Sequence, residues 1–148
     1  MAHLAEFHRA YWSEFQNLAQ NETPELQRTS PSNSYLIFPI GIGGAHLAAS
    51  ILVSRNLVTF YLLIQGKHRN ELFAHLNVQK AEVEMDLREA AVWTVSCTSN
   101  RARVTVELAV DDFDDRQDWA RQHRWITERA KNFDRAFYSR LHDLRGNS

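Results

Sequence analysis

The sequence predicts an α+β domain: a mainly antiparallel five-stranded sheet in the order α-βββ-α-ββ-α, with its helices packed on one face. Two observations support this fold class. Apolar residues recur with helical spacing in three segments, and five shorter segments have the composition of strands. Short connections between successive strands favour an antiparallel meander over βαβ units, which need crossover helices. Because 148 residues is a typical domain size, residues 1–148 are predicted to form a single domain.

Three helices are predicted, over residues 3–20, 67–87 and about 115–144. In the first helix, one apolar stripe is formed by Leu4, Phe7, Tyr11, Phe15 and Leu18. Trp12 and Trp125 lie beside the stripes of their helices, and we expect them to extend the core rather than to meet a partner. The acidic segment 111–115 precedes the last helix, where carboxylates accept hydrogen bonds from free amides, so we interpret it as a helix cap.

Five strands are predicted, over residues 35–40, 45–53, 57–64, 92–97 and 102–110. Gly41, Gly43 and Gly44 join the first two. A phosphate-binding glycine loop leads from a strand into a helix, whereas these glycines connect two strands, so we predict a tight turn. Asn56 lies between the second and third strands and suits a tight hairpin, because asparagine tolerates positive φ.

Composition limits the classes of function. There are 17 basic and 18 acidic residues, and this near-neutral balance disfavours an extensive duplex DNA binder but leaves room for a local basic patch. Cys97 is the single cysteine, which excludes an intramolecular disulfide and indicates a reducing compartment. The sequence predicts neither a membrane span nor a signal peptide, and we expect a cytoplasmic location.

No catalytic residue, metal ligand or cofactor is predicted. The seven histidines are scattered and show no paired metal-ligand spacing. No Ser-His-Asp or Cys-His arrangement stands out, and Cys97, at a strand end among apolar neighbours, is predicted to pack rather than to react. These observations favour a non-enzymatic protein.

The main candidate site is a polar face of the predicted sheet. Side chains that could share it are His46, Ser50, Thr59, Tyr61, Thr94, Arg101, Arg103, Thr105 and Glu107. Arg101 and Arg103 could grip phosphates or carboxylates in bidentate fashion, and Tyr61 could offer a stacking ring. The alternative is a sheet face that is merely solvated.

Lys80 is a second candidate because it falls within the apolar stripe of the middle helix. Its methylenes could cover the edge of the core. Alternatively, an acidic partner such as Glu107 could hold it in a cleft. Glu107 is the only acidic residue within a predicted strand, but the lysine two positions later that a nuclease motif needs is absent.

Several segments carry a family resemblance, and they are Ala10–Phe15, Ser30–Tyr35, Phe38–Gly41, Gln79–Glu84, Arg103-Val104, Asp118-Trp119, Trp125 and Phe133–Phe137. Across its whole length the chain resembles the DUF4268 family of bacterial and archaeal proteins. The matching residues are mainly scaffold residues. Members of this family often form the C-terminal part of longer proteins whose other domain looks like a nuclease. The resemblance therefore implies a companion module in nucleic-acid handling or genome defence.

The chain departs from the family pattern in two ways. It is expected to stand as a lone domain, and Ile42-Gly43-Gly44 occupies the place where a basic residue is expected, so we predict no phosphate contact by this turn. Our leading hypothesis is a non-catalytic accessory module that binds nucleic acid or a nuclease-type partner. One rival is a degenerate metal-dependent nuclease that uses Glu107 and Lys80. Another is a homo-oligomeric or protein–protein interaction domain.

Overall fold

Helices and strands follow one another along the chain in the predicted order. The computed structural model describes residues 2–26, 28, 34–96, 98 and 100–146. Its elements in chain order are α1 (Ala2–Glu22), β1 (Tyr35–Phe38), β2 (Ala45–Leu52), β3 (Leu57–Gln65), α2 (Arg69–Val78), α3 (Lys80–Leu87), β4 (Val92–Ser96), β5 (Arg101–Ala109) and α4 (Trp119–Gly146). The predicted order α-βββ-α-ββ-α is confirmed, with the middle helix divided into α2 and α3.

The five strands form one antiparallel sheet in the order β1-β2-β3-β5-β4. The central strand is β3, which pairs with β2 from residue 57 to residue 64 and with β5 from Leu57 opposite Ala109 to Gln65 opposite Arg101. Short turns connect β1, β2 and β3, as the meander interpretation requires. β4 and β1 are the two edge strands.

The core lies between one face of this sheet and the helices. Phe60 of β3 marks its centre, with ring centroids 5.4 Å from Phe38 and 4.9 Å from Phe133 of α4. Phe15 of α1 stacks on Phe38 at 6.1 Å. Successive side chains on a strand point to opposite faces, and the exposed residues Arg101, Arg103 and Glu107 lie on the face opposite Phe60, so the helices cover the face that carries Phe60. The prediction that the helices pack on one face is therefore confirmed.

Aromatic side chains join α1 to the start of α4. Tyr11 contacts the rings of Trp119 and His123, and its hydroxyl donates a 3.0 Å hydrogen bond to Gln122. Trp12 is only 1% exposed, so it belongs to the core as expected. Trp125 is half-buried against the core, with the Arg129 guanidinium 5.0 Å from the centre of its ring.

The middle helix differs from its prediction. A single helix over residues 67–87 was expected, but α2 ends at Val78 and α3 begins at Lys80. The chain bends at Gln79, whose N–H bonds back to Leu76 and Asn77. The bend lets α2 pack against β3 and β5 while α3 packs along α4, which one straight helix cannot do. The spacing of the apolar residues along this segment is the same with or without the bend, so the sequence pattern does not reveal it.

The turn residues adopt the backbone conformations that their residue types favour. Gly41 and Gly44 have positive φ, and a Cβ added at Gly44 would lie 2.9 Å from the carbonyl oxygen of Gln65. Asn56 adopts the left-handed conformation after a short 3₁₀ turn. A short 3₁₀ helix, Arg116–Asp118, leads directly into α4. Asp115 accepts a hydrogen bond from the N–H of Gln117 at the start of this 3₁₀ helix, which confirms the capping prediction.

Some expectations fall on residues that the structure does not describe. They include the packing assigned to Cys97, and residues 30–33 of the segment Ser30–Tyr35 that carries part of the family resemblance. In the described part of the chain, no helix combines the length and the apolar character that a membrane crossing requires.

Candidate functional site: the outer face of the sheet

The side of the sheet opposite Phe60, here called the outer face, carries the predicted polar residues. Cross-strand pairs share a face in an antiparallel sheet. His46 is opposite Leu63, Leu63 is opposite Arg103, and Arg103 is opposite Thr94. The same pairing places all the predicted members on this face, and they are His46, Ser50, Thr59, Tyr61, Thr94, Arg101, Arg103, Thr105 and Glu107.

The arginine end of the outer face forms a shallow pocket between β4 and β5. It is lined by Thr94, Val95, Ser96, Arg101 and Arg103. Both arginines are exposed, and they alternate along β5 so that their Cα atoms are about 7 Å apart. Two guanidinium groups beside two hydroxyl groups offer donors but no carboxylate, which suits an anionic ligand.

Tyr61 is held next to this pocket by Arg103. The guanidinium carbon lies 4.9 Å from the centre of the tyrosine ring, a cation–π contact. The pKa of Tyr61 is raised, mainly by burial, and the positive charge of Arg103 partly offsets this increase. The phenol therefore stays protonated at neutral pH and can donate a hydrogen bond.

His46 lies on the other side of Leu63 from Arg103. Burial lowers the pKa of His46, and the positive charges of Arg101 and Arg103 lower it further. The imidazole is therefore neutral at neutral pH, and any anion bound by the arginines would favour its protonation.

Glu107 and Lys80 do not join this cluster. Glu107 is exposed on the outer face opposite Thr59, four residues along β5 from Arg103, or about 14 Å. Lys80 lies with its amino group 6.0 Å from the centre of the Trp93 ring. Trp93 is opposite Val104 and packs against the core, so Lys80 is on the helix side. The sheet separates the two residues, and the cleft in which Glu107 would hold Lys80 is not formed.

Comparison with protein families matches residues 7–141 to DUF4268, described as a domain of unknown function. The chain belongs to the DUF4268 family. No curated protein matches it. Among solved structures, the crystal structure of YbjN from E. coli, a proposed transcription regulator, is similar with a TM-score of 0.47 and 10% sequence identity. The similarity covers 87% of this chain and 92% of that chain.

Three residues of the site in this DUF4268 chain were missed from sequence. Val95 and Ser96 line the arginine pocket, and Gln65 is opposite Arg101 on the outer face. Alternation from Thr94 by two positions would have found Ser96. Gln65 was missed because the third strand was predicted to end at residue 64, one residue too early.

Acidic residues of this DUF4268 chain serve a structural role before α4. Asp112 accepts a hydrogen bond from the N–H of Asp114, and Asp118 accepts from Arg121 and Gln122. The hydrogen bond from Arg121 is the main cause that lowers the pKa of Asp118 to about 2. In the described residues, no three His, Cys, Asp or Glu side chains are grouped so that they could hold a metal ion.

Proposed function

We propose that the chain is a non-catalytic accessory module that binds nucleic acid through the arginine end of its outer face. The observation that carries this proposal is that two exposed arginines and the side chains of Thr94 and Ser96 line the same pocket. The ring of Tyr61 lies beside this pocket, in contact with the Arg103 guanidinium. The family setting supports a nuclease-type protein as its partner. The proposal includes a cytoplasmic location, on the basis of the single cysteine.

The chemistry of the pocket suits a phosphodiester. Each guanidinium can donate two parallel hydrogen bonds to phosphate oxygens, which a lysine cannot do. A base next to the bound phosphate could stack near Tyr61, as bases do on aromatic side chains of antiparallel sheets. Because the cluster is small and the chain has a net charge of −1, we expect contact with a few phosphates only.

Charge reversal tests the proposal. Labelled single-stranded DNA, single-stranded RNA and duplex DNA are titrated with the protein at low salt, and binding is followed by fluorescence anisotropy. We expect the double variant Arg101→Glu/Arg103→Glu to bind at least ~10-fold more weakly than the wild type. For two phosphate contacts to a single strand, the wild-type plot of log affinity against log salt concentration should have a slope of about −1.4. The slope for the variant should be much closer to zero.

The matched control is Arg9→Glu/Arg55→Glu, which changes the net charge by the same amount at two exposed positions away from the pocket. Arg9 is on α1, and Arg55 is in the β2–β3 turn at the opposite end of the sheet. The proposal is wrong if the wild type retains none of the three probes, or if the control variant loses as much affinity as the pocket variant.

The rival nuclease hypothesis has its own test. It needs Lys80 and Glu107 to act on one phosphate, and they lie on opposite sides of the sheet. We therefore expect no cleavage when plasmid DNA is incubated with the protein and Mg²⁺ or Mn²⁺. Cleavage that Glu107→Gln abolishes would reverse this ranking.

A further inference from the structure

The edge strand β4 lacks the usual protection of a sheet edge. It contains five uncharged residues (Val92–Ser96) with no proline, and it pairs only with β5 among the described strands. Natural edge strands are commonly protected by charges, proline or bulges, because their free N–H and C=O groups can pair with another chain. The other edge strand, β1, is only four residues long and is followed closely by Pro39.

The exposed apolar residues of β4 point to both sides of the sheet. Val92 is 59% exposed and Val95 is 49% exposed. Val92 is opposite Thr105 on the outer face, whereas Val95 is opposite Ala102 on the helix side. A helix or ligand on one face could cover only one of them. A strand added at the edge covers both, since its own side chains alternate between the faces.

We propose that β4 pairs with β4 of a second copy of this chain, antiparallel and with a two-fold axis at Thr94. In this register Thr94 is opposite Thr94 of the second copy, and Trp93 is opposite Val95 of the second copy. Val92 is opposite Ser96 of the second copy. The two five-stranded sheets then form one continuous sheet of ten strands.

The side chains of β4 favour a second copy over an unrelated strand. Cross-strand pairs of an aromatic with a β-branched residue, and of two threonines, stabilise antiparallel sheets. The two-fold register produces both kinds at once, with Trp93–Val95 twice and Thr94–Thr94 once. No charged residue of the strand meets a like charge across the axis. The patch is thus complementary to itself, as an isologous dimer interface must be.

The pairing has a consequence for the arginine pocket, and this step alone rests on the proposed function. Because the two-fold axis is perpendicular to the sheet, both outer faces lie on the same side. The arginine-bearing β5 strands are then separated by three strand spacings, or about 14 Å. Four arginines would face one ligand, so a nucleic acid that spans both pockets would bind more tightly than one that reaches a single pocket.

Oligomeric state tests the pairing without any nucleic acid. Sedimentation of the wild type over a range of concentrations should show a dimer. Thr94→Lys and Thr94→Glu each place like charges opposite one another at the axis, and each variant should sediment as a monomer with its circular dichroism spectrum unchanged. An equimolar mixture of the two should recover the dimer, because the opposed charges then attract.

A cysteine trap tests the register. Cα atoms of directly opposed residues in an antiparallel pair are about 4.5–5.5 Å apart, within the range that a disulfide spans. Thr94→Cys in a Cys97→Ser background should cross-link two copies under mild oxidation. Val78→Cys in the same background is the control, because Val78 is 86% exposed at the end of α2 and is not part of the β4 strand that forms the proposed pair. A wild type that is monomeric at every concentration, or equal cross-linking at the two positions, would overturn the pairing.

The two proposals fail separately. Arg101→Glu/Arg103→Glu should remain a dimer while losing nucleic-acid binding. A dimer that binds no nucleic acid would remove the proposed function and leave the β4 pairing intact. A monomer that binds through the two arginines would do the reverse.

Discussion

Phe60 and Tyr61 are neighbours on β3, but they lie on opposite faces of the sheet and in different chemical environments. Phe60 is fully buried between Phe38 and Phe133, whereas Tyr61 is half-buried and contacts the guanidinium of Arg103. The helix side therefore supplies the large apolar contacts that stabilise the fold. The outer face carries exposed charges, such as those of Arg101 and Arg103, around a smaller set of buried side chains that includes Thr59 and Leu63. Substitutions on the two faces should accordingly change different measurable properties.

The largest expected effect is on stability, from a truncation on the helix side. Phe60→Ala removes a buried ring and leaves a cavity, which should lower the free energy of unfolding by about 3–5 kcal/mol. Thr105→Ala, on the outer face of the adjacent strand, is the matched control and should cost less than about 1 kcal/mol. Urea denaturation measures both values. Similar losses for the two variants would contradict the division of roles between the faces.

The second prediction concerns acid sensitivity on the helix side. Burial lowers the pKa of His123 to about 4, and its Nε2 atom makes no hydrogen bond with the described residues. Between pH 6.5 and about 4 the unfolded chain takes up a proton at this residue and the folded chain does not. The stabilisation is thus complete above pH 6.5 and is lost as the pH falls, by about 3 kcal/mol in total.

His123→Phe keeps an aromatic ring beside Tyr11 and removes the titrating group. Urea denaturation of the wild type and the variant at several pH values should show a smaller acid loss in the variant, with carboxylate titration common to both. Equal acid losses would show that His123 is protonated in the folded protein over this range.

The smallest expected effect is on ligand binding at the outer face. The pKa of His46 is lowered by burial and by the two arginines, and bound phosphates would raise it again. Binding should therefore take up a proton, and affinity for a single-stranded oligonucleotide should rise as the pH falls. One proton limits the change to about tenfold per pH unit.

His46→Gln should flatten this pH dependence in anisotropy titrations. His8→Gln is the control, because burial also lowers the pKa of His8 but that residue lies on α1. If the two variants have the same pH profile, His46 is not linked to binding.

Local pattern was enough to predict most of the architecture. Five strands were predicted within two residues of their observed ends, since a period of two is set by the pleat of the strand itself. The grouping of polar residues on one face followed from the same period. The bend at Gln79 could not be predicted in this way, because the spacing of Leu72, Leu76, Val83 and Leu87 on α2 and α3 is compatible with one continuous helix.

The candidate site was predicted only in part. Arg101, Arg103, Tyr61 and His46 do lie together on the outer face. Glu107 shares that face but lies about 14 Å along β5 from Arg103. Lys80 lies on the helix side of the sheet, which sequence could not show because a strand and a helix have independent orientations until they pack. Sequence spacing can relate residues within one element but not across two.

By itself, the sequence determined the class of each element, the order α-βββ-α-ββ-α and which strand residues share a face, because these depend on short-range backbone geometry. Only the tertiary structure decided that β5 lies between β3 and β4, that β4 is left at an edge, and that the sheet separates Lys80 from Glu107. Those features depend on which elements bury one another's apolar surface, and residues far apart in the chain contribute to that choice together.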